Sequence, residues 1–214
     1  MIKRSEKFST YSHLAGAVFM VAGTLILVIN TIEETNLLIL SLIYGLSVVL
    51  SMGSSALYHS QKKEENSESI YRKLDHLAIF FNIAGSFSVF LYLYLSGTYR
   101  IIILTILWAS VIAGVVFKLV WFNAPRILST IVYGAFLAVI LVPIARIADG
   151  AGTFEEVMLI SCLVAVFTGG VIYALKKPDP IPDVFGFHEI FHIFILVGVI
   201  CMYIAVYLAI TKFI

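Results

Sequence analysis

From Ile193 to Ile210 the chain runs without a single charged residue. Together with the residues just before it, this stretch is long enough to cross about 30 Å of hydrocarbon as a helix. Windows of about 19 residues locate seven such apolar runs, at 13–31, 37–59, 74–95, 101–121, 127–146, 156–175 and 188–211. Inside lipid every backbone amide must be bonded within its own segment, and at these lengths only helices satisfy that; barrel strands would be shorter and alternating. The expected fold is an all-α membrane protein, one domain of seven transmembrane helices over residues 1–214. Its links are short and polar, such as Ile32-Glu33-Glu34-Thr35-Asn36.

Composition agrees, since 61% of residues are hydrophobic, 13% are charged and the mean hydropathy is +1.02, whereas about a quarter of a soluble domain's residues carry charge. The net charge of +1 makes no case for a nucleic-acid partner. Position along the chain is what carries information. Lys3, Arg4, Lys7, Lys62, Lys63, Arg72, Lys73, Lys118, Arg126, Lys176 and Lys177 fall on one side of a seven-span arrangement, and only Arg100, Arg146 and Lys212 on the other. The positive-inside rule then puts the N-terminus in the cytoplasm and the C-terminus outside. The first apolar run has spanning length and no small-residue cleavage site, so no cleavable signal is expected. Cys162 and Cys201 lie deep in apolar runs and read as free, buried thiols.

On this topology all five histidines gather near the cytoplasmic face: His13, His59, His76, His188 and His192. Polar groups at membrane depth are costly and turn toward the bundle interior, so the layer reads as a site. His188 and His192 stand four residues apart, one turn apart on a single helix face, the spacing with which two imidazoles hold one metal ion. The string is H-E-x-x-H, shared with helical zinc proteases in which the Glu is the general base. Against that reading, no acidic ligand follows His192, and Lys212 is the one charge beyond it. Glu189 also suits the N-terminal end of a helix dipole.

Ser55 and His59 form a second i, i+4 pair, so a hydroxyl and an imidazole share a face of the second helix. On the third, Asp75 heads a stripe of Ile79, Asn82 and Ser86, while His76 heads Phe80, Ile83 and Phe87, a packing or lipid face. Asp75 is the one expected to point inward, where a buried carboxylate needs a cation or a polarised water as partner. His59, His188 and His192 with one open position make the three-imidazole set of a catalytic zinc site. What His13, His76 and Glu189 do stays open.

Three blocks in this order, Ser54-Ser55-Ala56-Leu57-Tyr58-His59, Leu74-Asp75-His76 and Gly186-Phe187-His188-Glu189-Ile190-Phe191-His192, resemble the hemolysin III branch of the progestin and adipoQ receptor family, distantly related to alkaline ceramidases. The resemblance spans the chain. It implies zinc on His59, His188 and His192, a zinc-bound water held and activated by Asp75, and Ser55 lining the same site. The first helix resembles the family's E-x-x-N-x-x-x-H pattern, with Glu6, Ser12 and His13 in place and Ser9 where the family usually has Asn. A multi-pass protein of a cell membrane, the bacterial cytoplasmic membrane, is expected. Its function is read as metal-dependent hydrolysis of a lipid amide or ester, with a membrane lipid as substrate or ligand. The alternatives are a membrane sensor or homeostasis protein with structural zinc, a pore-forming hemolysin, and an intramembrane protease.

Overall fold

A computed structural model describes residues 6–62, 69–181 and 184–214; Lys3, Arg4 and Lys63 of the charge argument lie outside them. Among the described residues the chain is all helical: α1 (Lys7–Thr31), α2 (Thr35–Gln61), α3 (Ile70–Tyr94), α4 (Gly97–Val120), α5 (Arg126–Leu141), α6 (Ile144–Gly150), α7 (Thr153–Leu175) and α8 (Phe187–Thr211). Six are long and apolar enough to cross a membrane, and α5 with α6 makes up to a seventh.

That pair corrects the expected single span over 127–146. The chain breaks between Leu141 and Ile144, and the two pieces meet at 50°. The cause is Pro143 in the break: it brings no N–H to the helical ladder and its ring crowds the preceding turn. Helix ends also run past the hydropathy windows. α1 begins at Lys7 and α3 at Ile70, because apolar composition marks the lipid slab and caps mark the helix. The Ser69 side chain accepts from the Arg72 backbone N–H at 3.2 Å and so starts α3.

Neighbouring helices close a ring in which α1 packs on α2, α2 on α3, α3 on α4, α4 on α5, α5 on α7, α7 on α8, and α8 back on α1. α3 also reaches α5, α6 and α8, which makes it the most connected helix. Close approach depends on small residues, as is usual where lipid removes the hydrophobic drive for helix association. A side chain at Gly45 would run into Thr24 of α1, and one at Gly85 into Ser47 of α2. The outer surface is lined with exposed apolar side chains such as Ile29, Ile112, Val120 and Phe167. An apolar surface that extensive belongs in lipid. At one end of the ring Tyr94 donates to Glu155 at 2.6 Å, tying α3 to α7; the histidines occupy the opposite end.

Candidate metal centre

α8 starts at Phe187 because Gly186, in extended conformation, is followed three residues on by Glu189, whose Oε2 accepts the Gly186 N–H at 2.9 Å. Ser9 of α1 donates to the other oxygen at 3.4 Å. Glu189 is thus a helix cap, with both oxygens hydrogen-bonded to Gly186 and Ser9. One turn of α8 then presents His188 and His192 side by side, their Nε2 atoms 3.0 Å apart. From the last turn of α2, His59 brings its Nε2 to 3.4 Å from that of His188.

The donor atoms of His59, His188 and His192 all lie within 4.8 Å of one another, close enough to hold a metal ion. A tetrahedral ion with metal–nitrogen bonds of about 2.0–2.1 Å separates its ligand nitrogens by about 3.3 Å. The His188–His192 and His59–His188 separations bracket that value, so these residues fit such an ion. The tautomers fit as well. His59 Nδ1 lies 2.6 Å from Glu6 Oε2 and donates to it, which leaves the Nε2 lone pair facing His188. Buried His59 and His192 stand beside half-buried His188.

Glu6 was not among the residues singled out from spacing. Burial raises its pKa, and hydrogen bonds from His59 and Lys62 outweigh that and hold it at about 2. Lys62, counted in the sequence only as a cytoplasmic cation, lies 2.7 Å from Glu6 Oε1. The signal was there in the helical period: Glu6, Ser9 and His13 repeat at i, i+3 and i+7 on one face of α1, and all three are buried. Ser12, half-buried, bonds the Ser9 carbonyl instead.

Ser55 lies beneath His59 on α2, as its spacing required, and is 2.8 Å from His13 Nδ1. Asp75 of α3 faces the same Ser55 and stands in the field of His59 and Arg72. Below Asp75 the same stripe continues through Asn82, which donates to Ser51 of α2 at 3.4 Å, and Ser86, which donates to Asn82 at 3.2 Å. His76 faces away. Its ring meets Phe122 edge-on at 5.5 Å, and its stripe is a packing face, with buried Phe80 against Tyr133 and Phe136 of α5. Four of the five histidines therefore meet. Cys162 and Cys201 are free, on α7 and α8.

The fold and the site together define a polytopic helical membrane protein with an intramembrane histidine cluster able to take a metal. The chain belongs to the haemolysin-III related family, whose model matches residues 1–203. It is 32% identical to the hemolysin-3 homolog of Bacillus subtilis (strain 168) over 77% of this chain and 74% of that protein. It is 28% identical to hemolysin-3 of Bacillus cereus over 95% of this chain and 90% of that one. Both relatives are bacterial, and the chain is a multi-pass membrane protein.

Proposed function

We propose that this protein is a metal-dependent hydrolase acting on an amide or ester of a membrane lipid, with zinc held by His59, His188 and His192. The observation that carries this reading is the convergence of those three imidazoles, with the carboxylate of Asp75 facing Ser55 and in the field of His59. Zinc on three neutral ligands polarises a carbonyl and brings the pKa of a bound water to about 7. Asp75 would take the proton from the attacking water and return it to the departing amine or alkoxide. Ser55 would help to orient that carboxylate, and Glu6 keeps His59 in its ligand tautomer.

The positive-inside distribution supports an N-terminus in the cytoplasm and a C-terminus outside, which sets the site just within the cytoplasmic interface. A lipid could then enter sideways from the bilayer. The test is hydrolysis of ceramide and of ester lipids by purified protein in defined vesicles. Wild-type protein should turn over one of them in a chelator-sensitive way, and Asp75→Asn should lose about 100-fold or more in rate. Equal rates for the variant would rule the mechanism out.

A second reading is favoured by the same cluster: bound zinc would tie α2 to α8 and serve a sensor or homeostasis protein by stability alone. It expects His192→Ala to lower thermal stability with no turnover in any lipid. The names of the two relatives suggest lysis, and a pore is one way to it. A pore needs a continuous polar lining, and in α4 to α7 the buried polar residues among those described are Lys118, Ser129 and Glu155.

A further inference from the structure

Lys118 stands in the last turn of α4 with only 1% of its surface exposed, a depth at which a lysine is normally found paired. Its Nζ donates to Ser129 Oγ of α5 at 2.8 Å. A lysine ammonium has three N–H donors, and among the described residues no second acceptor and no carboxylate reaches this one. The rings of Phe117 and Tyr133 lie with centroids 5.8 and 5.9 Å from Nζ, at the outer limit of cation–π attraction. A buried charge without a counter-charge is expensive, so its partner must come from outside the chain.

A second group in the same place points the same way. His76 of α3 has its Nδ1 buried, with no hydrogen-bond partner among the described residues. Tyr133 joins the two residues: its ring lies beside Lys118, and its hydroxyl donates to the His76 carbonyl oxygen at 3.4 Å. Phe122, between α4 and α5, is flanked by the His76 ring at 5.5 Å, the Arg72 guanidinium at 4.9 Å and Lys73 Nζ at 5.6 Å. His76 also stands in the field of Lys118 and Arg72. Asp75 faces Ser55 of α2 instead.

The surroundings of this cluster name the source of the partner. Leu119, Val120 and Trp121 follow Lys118 directly and are 62%, 82% and 51% exposed. Apolar side chains so placed face lipid, and a Trp at a helix end marks the headgroup level. A basic pocket between spanning helices at that level suits an anionic lipid headgroup.

We propose that the cluster between α3, α4 and α5 binds the phosphate of an anionic phospholipid, with Lys118 as its buried charge, His76 Nδ1–H as a donor, and Arg72 and Lys73 as the surrounding positive field. The site lies across α3 from the metal centre. It does not rest on the hydrolase reading, since no metal ligand takes part in it.

The experiment titrates delipidated protein in neutral detergent with phosphatidylglycerol, and reads binding by native mass spectrometry and by the rise in unfolding temperature. Wild type should be bound and stabilised by phosphatidylglycerol. Diacylglycerol, which lacks the phosphate, and inorganic phosphate, which lacks the chains, should each do neither. Lys118→Met keeps the length and loses the charge, so it should bind phosphatidylglycerol about 10–100-fold more weakly. Its unfolding temperature without lipid should equal or exceed that of wild type, because an unpaired buried cation has been removed. Lys7→Met removes an exposed cation from α1 and should stay within about twofold of wild type, since salt screens so distant a charge.

A Lys118→Met protein that binds within about twofold of wild type, or that is several degrees less stable without lipid, would overturn the proposal. So would an equal loss in Lys7→Met. Stabilisation by inorganic phosphate as large as that by phosphatidylglycerol would make the occupant a soluble anion and sink the lipid assignment; equal stabilisation by diacylglycerol would leave only apolar contacts. If Lys118→Met does not fold, ring ¹⁵N shifts of labelled histidine in wild type decide. The His76 Nδ1 resonance should move with phosphatidylglycerol and stay fixed with diacylglycerol, and a resonance that ignores both lipids rules the site out.

Discussion

Glu6 Oε2 and His59 Nδ1 stand 2.6 Å apart, joining the residue just ahead of α1 to the last turn of α2. A carboxylate behind a ligating imidazole fixes the ring and raises its basicity. Glu6→Ala should therefore weaken zinc binding about 10–100-fold, measured by chelator competition in detergent. Glu6→Gln, which can still accept from Nδ1–H but has lost the charge, should fall between the two. Wild-type affinity in the alanine variant would show that the pair is only structural.

His76 shares its depth with the other histidines but sits on the far face of α3 against Phe122. Metal analysis should find His192→Ala and His59→Ala stripped of metal while His76→Ala retains the wild-type stoichiometry. Loss of metal on replacing His76 would place the site elsewhere.

The approach of α2 to α3 is set at Gly85, where an added Cβ would meet Ser47 and come within 3.0 Å of the Ile43 carbonyl oxygen. Backbone cannot step aside as a side-chain tip can. Gly85→Leu should cost roughly 1–3 kcal/mol in denaturant unfolding. Gly134→Leu, with nothing within 4 Å of the new Cβ, should stay within about 0.5 kcal/mol of wild type.

Sidedness is testable with a membrane-impermeant maleimide on intact cells, using protein in which Cys162 and Cys201 are alanine. Exposed Glu34 and Lys177 fall on opposite sides of the proposed topology. Glu34→Cys should label from outside, and Lys177→Cys only after the cells are broken. The reverse pattern would invert the assignment and put the histidine cluster at the outer face.

Much of this architecture was written locally. Each spanning helix declares itself by a long apolar run, and the His188/His192 pair by a spacing of four, because both depend only on neighbours along one helix. The Pro143 break was equally local and was hidden by hydropathy, since an average over a window does not register one missing N–H. Glu6 lies outside the apolar run that marks α1, so hydropathy and spacing passed over it, and only the family's E-x-x-N-x-x-x-H pattern named it.

Sequence alone determined that the chain must span a membrane as helices, that it has an imidazole pair, and that its histidines share one depth; these follow from transfer energies and helical period. Depth says nothing about rotation around a helix axis. Which way each ring points was decided by packing between helices far apart in sequence. On α3 the stripes already separated Asp75 from His76, and Phe80 against Tyr133 and Phe136 keeps that rotation; the contact of α1 with α8, which no local pattern carries, sets His13 against His192.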